Sequence, residues 1–172
     1  MKIKCVAFDA DHTLYSINSW RAYREKFKFL SDMTGLDEEK IRRTWLSIVD
    51  EVKHLKDPSK RSREYSTDLA LKKLGVINDK KRAELVGKAL KIFWKNVIVE
   101  RNAFARTTIE ELRKDKVITV AVVSDEYKEH LMEKLCKAGI PSVDITICPE
   151  DTGEMKPSTR FYEKLIEITG LE

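Results

Sequence analysis

The 172-residue chain contains no glutamine and only 6 glycines, 4 prolines and 3 cysteines. So little glycine and proline excludes a collagen-like or low-complexity chain, and 42% hydrophobic residues exclude a disordered one. Three cysteines, Cys5, Cys136 and Cys148, are an odd number without Cys-x-x-Cys spacing, which argues against a disulfide framework or a zinc site. They read as reduced, mostly buried small hydrophobes. The longest apolar run, Val117 to Val123, is far short of the ~18–20 residues that cross a bilayer, so no membrane partner is expected. Met1 to Cys5 lead into a short apolar run without the length or cleavage site of a signal peptide, and the expected location is cytoplasmic. Thirty-three basic residues are interspersed with 29 acidic ones, net +4, which a solvated surface explains as well as a polyanion partner does. The absence of glutamine beside abundant Lys and Glu is a bias found in proteins of heat-loving organisms.

The length suits one domain, with or without an insertion. Ile3 to Phe8 form an apolar, partly β-branched run that gives way to polar Asp9 to Thr13, the pattern of a buried strand ending in a loop. From about Ser19 to Ile98, Lys, Arg, Glu, Leu and Ala recur at helical spacing, with punctuation for four helices. The first ends at Gly35. The second starts at Asp37 and stops before Asp57-Pro58, with Ile41, Trp45, Ile48, Val52 and Leu55 on one face. Ser59 caps a third that stops at Gly75, and Asn78 or Asp79 caps a fourth running to about Val97. Trp20, Trp45, Trp94, Phe27 and Phe29 are expected in the core of this helical part. Beyond Ala103, a helix over 108–114, a strand over 117–123, a helix over 126–138, a strand over 144–148 and a helix over 158–169 alternate. Such alternation predicts an α/β fold, a Rossmann-like three-layer parallel sheet with right-handed crossovers, interrupted after its first strand. The division expected is 1–15 with 101–172 as the α/β core and 16–100 as an all-helical insertion.

In an open parallel sheet the binding crevice lies beyond the carboxyl ends of the strands. The residues there are Asp9 to Thr13, then Ser124-Asp125, then the loop from Pro149 to Pro157 holding Lys156. Two carboxylates at i and i+2 can point to different sides of one pocket, so that one attacks a centre while the other handles a proton. A hydroxyl such as Ser124, with backbone N–H groups leading into the helix from Glu126, can hold a phosphate oxygen. Lys156 would neutralise the charge gathered there. Each cluster taken alone has a plainer explanation: Asp is common in turns, Ser124-Asp125 is an ordinary helix cap, and a lysine beside a proline is often solvated. His12, His54 and His130 show no ligand spacing and read as surface or partly packed residues.

Phe8-Asp9-Ala10-Asp11-His12-Thr13-Leu14 resembles the first motif of the haloacid dehalogenase-like hydrolases, an apolar strand followed by Asp-x-Asp-x-Thr. Val122-Val123-Ser124-Asp125 is similar to the second motif, Met155-Lys156-Pro157 to the third, and the helical insertion to the cap these enzymes carry between their first two motifs. The resemblance implies that Asp9 attacks phosphorus to form an aspartyl-phosphate, while Asp11 protonates the leaving alcohol and then activates water. Lys156 would be the third catalytic group, with Thr13 and Ser124 on the substrate side, Thr13 supporting the loop and Ser124 holding the phosphate. It further implies Mg2+, bound by the Asp9 carboxylate and the Asp11 backbone carbonyl. The dehalogenase branch lacks the second acid, so Asp11 favours a phosphatase of a small phosphorylated metabolite.

The family's fourth motif, an acidic pair on a further strand, has no counterpart here. Beyond Lys156 the acids are Glu163, Glu167 and Glu172, the first two alternating with Lys164 as on a solvated face. The expectation is therefore weak or no magnesium-dependent phosphatase activity, and an apolar edge at Ile3 to Phe8 open to self-association. Two other classes compete: a non-catalytic α/β module that binds phosphate or metal or assembles with another chain, and nucleic-acid binding through the basic run from Lys53 to Arg63, which nothing else in the sequence favours.

Overall fold

The structure is a computed structural model, and it describes residues 3–55 and 57–170. The chain divides into two compact units, residues 1–17 with 99–172 and residues 18–98.

The first unit is built on a parallel sheet. β1 (Cys5–Asp9), β4 (Thr119–Val123) and β5 (Ile145–Ile147) lie in the order β1-β4-β5. The register pairs Cys5 with Thr119 and Asp9 with Val123, and then Val123 with Ile147. All three strands therefore end at one level, and the polar residues that follow them gather at one edge. β4, in the middle, is the apolar run that sequence singles out, and Val120, Ala121 and Val122 are fully buried. Because side chains alternate along a strand, Val120 and Val122 meet Ile109 of α5 (Ala105–Leu112) and Leu131 and Leu135 of α6 (Lys128–Lys137) on one face. Val123 packs on the other face with Ile147 and with Phe161 of α8 (Arg160–Thr169). Helices on both faces give the three-layer α/β architecture.

The second unit packs four helices: α1 (Trp20–Thr34), α2 (Glu38–Val52), α3 (Arg63–Lys73) and α4 (Asp79–Asn96). Phe27, Leu30, Ile41, Trp45, Ile48, Ala70, Leu71, Leu85 and Ala89 form its core. Each large apolar side chain buried there contributes about 1.5–3 kcal/mol. Gly35 ends α1 at φ 70°, a left-handed conformation that favours glycine, and Asp37 caps α2 by accepting the Lys40 N–H at 2.8 Å.

Several expectations need correction. Ser62, not Ser59, caps α3, because Pro58–Arg61 form a separate 3-10 turn capped by Asp57. Leu55 lies past the end of α2 and is exposed, Trp20 projects outward with the Arg24 guanidinium 4.9 Å over its ring, and Cys136 is exposed. Two short strands, β2 (Tyr15–Asn18) and β3 (Ile98–Arg101), pair with each other where the chain passes between units, and α7 (Pro149–Thr152) is a single turn. β4 starts two residues later than its apolar run, since Asp115 takes the N–H groups of Val117 and Ile118 into a turn.

Candidate active site

Asp9 is the last residue of β1, and its carboxylate receives a hydrogen bond from the Lys156 ammonium. That ammonium also lies 3.4 Å from the Val123 carbonyl, and the Lys156 backbone N–H donates to Asp125 Oδ1 at 2.6 Å. Asp125 thus ties the loop after β5 to the end of β4, a role that its place beside Ser124 does not reveal. The first and third polar clusters meet at the sheet edge. Ser124, level with the residue after Asp9 by the strand register, is buried, and its Oγ accepts the Glu126 N–H at 3.1 Å. Its hydroxyl proton is not consumed by that bond.

The helix start expected at Glu126 is displaced. α6 begins at Lys128, whose N–H is taken by the Glu150 carboxylate at 2.8 Å, a negative charge suited to a helix N-terminus. The backbone N–H groups assigned to phosphate from sequence are therefore occupied at Glu126 and Lys128, and Ser124 does not cap this helix.

The loop after β1 turns sharply. His12 adopts φ 64°, unusual for a residue with a side chain, and its N–H donates to the Tyr15 carbonyl at 2.7 Å. Asn102, which no motif or spacing in the sequence marks, donates through Nδ2 to the carbonyls of His12 at 2.9 Å and Thr13 at 3.1 Å, and its Oδ1 accepts from Ser16 at 2.9 Å. Thr13 itself is exposed, and Asn102 holds the carbonyls of this loop from outside it.

Asp11 faces a second ammonium. Lys134 Nζ stands 3.4 and 3.5 Å from its two carboxylate oxygens and 2.6 Å from Glu126 Oε2. Lys134 is 1% exposed and Glu126 9%, while Asp11 is 40% exposed on its open side. His130 Nδ1 lies 3.5 Å from Glu126 Oε1. The fully buried Tyr15 belongs to the same neighbourhood: burial, and secondly the Asp11 carboxylate, push its phenol pKa upward, so the hydroxyl keeps its proton. Neither Glu126 nor Lys134 was singled out by sequence, although a signal existed. Leu131, Lys134, Leu135 and Ala138 form a buried stripe at helical spacing, and a lysine on such a stripe requires a partner.

Magnesium takes hard oxygen ligands and is commonly held by one or two carboxylates with waters and substrate oxygens completing its shell. Asp9 and Asp11 are partly exposed carboxylates two residues apart, and they fit that ion in kind. Among the described residues, no group of three or more His, Cys, Asp or Glu is placed to hold a metal ion. Glu163 pairs with Arg160 at 3.0 Å and Glu167 with Lys164 at 2.9 Å on the exposed face of α8, and Glu172 lies outside the described residues. No helix among the described residues is long and apolar enough to cross a membrane.

A family model for haloacid dehalogenase-like hydrolases matches residues 3–172. No curated protein matches the chain significantly. Solved structures do. A 2-haloacid dehalogenase from Pseudomonas syringae pv. Tomato DC3000 aligns with a TM-score of 0.66 at 20% identity, over 98% of this chain and 74% of that one. A protein described as HAD-hydrolase YfnB of Bacillus subtilis, bound to magnesium, aligns at 0.63 and 18% identity over 97% and 74%. The L-2-haloacid dehalogenase of Xanthobacter autotrophicus aligns at 0.54 and 19% identity, over 99% of this chain. The chain spans 66% of the length of that dehalogenase. At these identities the likeness is one of fold.

Proposed function

Because the chain belongs to the haloacid dehalogenase-like hydrolases, we propose that it works as a phosphatase-type member, hydrolysing a small phosphomonoester through an aspartyl-phosphate. The observation that carries this reading is the second acid: Asp11 follows Asp9 by two residues, and the two carboxylates face separate ammonium groups, Lys156 and Lys134. Two acids with different surroundings can serve two roles.

An Asp9 oxygen attacks phosphorus, and the bond from phosphorus to the ester oxygen breaks. Asp11 gives its proton to the departing alcohol, then takes one from the water that attacks the acyl phosphate, releasing inorganic phosphate and restoring Asp9. Lys156 balances negative charge at the nucleophile and on the transferring group, and Ser124 can donate its hydroxyl to a phosphate oxygen. Magnesium, held by the Asp9 carboxylate and the Asp11 backbone carbonyl, would supply charge neutralisation on the phosphoryl oxygens.

The test is phosphate release from p-nitrophenyl phosphate with magnesium, beside halide release from L-2-chloropropionate. The expected result is slow phosphate release that falls by at least about a hundredfold in Asp9→Asn, with no halide release. Halide release without phosphate release would assign the chain to the dehalogenase branch. Binding of a fluoride-metal phosphate mimic with no turnover of either substrate would favour the non-catalytic module.

A further inference from the structure

We propose that Lys134, anchored by Glu126, is a positioning residue that fixes the Asp11 carboxylate for proton transfer, an inference that rests on the acid–base role just given to Asp11. Three observations carry it. First, the Lys134 side chain lies on the buried stripe of α6, where Leu131, Leu135 and Ala138 pack beside it. An ammonium taken out of water there is tolerated only with close partners. Second, Glu126 is such a partner at 2.6 Å, and being buried itself it leaves the ammonium little freedom. Third, the ammonium also faces Asp11, with both carboxylate oxygens almost equally distant at 3.4 and 3.5 Å.

That near-equal pair of distances places the ammonium close to the bisector of the carboxylate. An aspartate in a loop otherwise rotates among several side-chain orientations. A buried cation on one side selects one orientation of a carboxylate that stays 40% exposed to solvent. Lys134 needs no contact with substrate to do this. It acts through Asp11, as Lys156 acts at Asp9, so each of the two aspartates has its own lysine from a different element.

General-acid assistance matters most when the leaving group is poor. p-Nitrophenolate departs without a proton, whereas an alkoxide does not, and kcat/KM for the first step separates the two. Lys134→Met is expected to lower kcat/KM on β-glycerophosphate by about 10- to 100-fold while changing it on p-nitrophenyl phosphate by less than about threefold. Asp11→Asn should show the same selectivity. Glu126→Gln, which keeps the size of the side chain, should reproduce part of the Lys134→Met effect and serves if the methionine variant does not fold. A readout independent of turnover is the 13C resonance of the Asp11 carboxyl, which should move in both Lys134→Met and Glu126→Gln. Equal losses on the two substrates, or no loss and an unmoved carboxyl resonance, would overturn the inference. If Asp11→Asn itself fails to discriminate between the substrates while the resonance moves, the contact stands and the acid–base reading of Asp11 falls instead.

Discussion

Asn102 reaches back across 90 residues of sequence to His12, donating to its carbonyl at 2.9 Å while also bonding the carbonyl of Thr13 at 3.1 Å. The backbone of the loop that carries Asp11 is thereby pinned by the residue that follows β3. Asn102→Ala removes two donors and the acceptor for Ser16. Water can reach these groups, so the expected loss is about 1 kcal/mol rather than the larger cost of a fully buried orphan. Asn102→Asp should be worse, since a carboxylate would face two carbonyl oxygens. Urea denaturation of both variants checks the order, and a reversed order would show that the contact is not what holds the loop.

Lys26 is fully buried within α1, hydrogen-bonded to Thr67 at 3.3 Å, with its ammonium 4.1 Å over the Trp45 ring and 4.6 Å over Phe27. Burial, and secondly the nearby Arg63 charge, hold its pKa well below the ordinary 10.5. The rings favour the cation, yet one long hydrogen bond leaves desolvation dominant. Between the lowered folded value and 10.5 the unfolded chain binds more protons than the folded one, so this lysine makes stability rise with pH through that window. Lys26→Met keeps the volume and removes the penalty. It should raise Tm at pH 7 by a few degrees, on the order of 3 °C, with the gain shrinking as pH approaches 10.5. A drop in Tm at pH 7 would mean that the aromatic cage outweighs desolvation.

The three cysteines should separate by reactivity. Cys136 is exposed on α6, Cys5 is half-buried with its pKa raised by burial, and Cys148 is buried with its thiol pushed up to about 12. At pH 8 the thiolate fraction of Cys148 is on the order of 10⁻⁴. Labelling with a thiol-exchange reagent is expected to modify Cys136 first, Cys5 more slowly and Cys148 only on unfolding. Rapid native-state modification of Cys148 would contradict the packing around β5.

What sequence conveys here depends on how local its cause is. β4 is legible from Val120 to Val123 because burial on both faces demands a continuous apolar run, and α2 is legible because Asp37 caps it and Ile41, Trp45 and Ile48 share a face. β2 and β3 leave no such trace: each has only four residues, and each exists by pairing with the other across the whole helical unit. The start of α6 is misread for a similar reason, since its N-terminal charge partner is Glu150, not a neighbour in sequence. Within the site, the motif residues Asp9 and Lys156 meet, and these were readable from their places after strands. Asn102 was not, because a side chain holding carbonyls so remote in sequence has no spacing to betray it. Lys26 and Lys134 occupy an intermediate position, as charges on otherwise apolar helical stripes that announce an environment without naming the partner.

The register Cys5 to Thr119 also bears on how the molecule acquires its shape. On a ribosome, β1 emerges before β4, its partner in the sheet, and all four helices of residues 18–98 are made between them. Within that unit the most extensive packing joins α1 to α4, its first and last helices, so it can close once α4 is made, whereas the still longer span between β1 and β4 costs chain entropy that only the finished sheet repays. The helical unit should therefore gain protection from hydrogen exchange before the sheet during refolding, and the chemistry-bearing edge at Asp9 should be among the last parts to form.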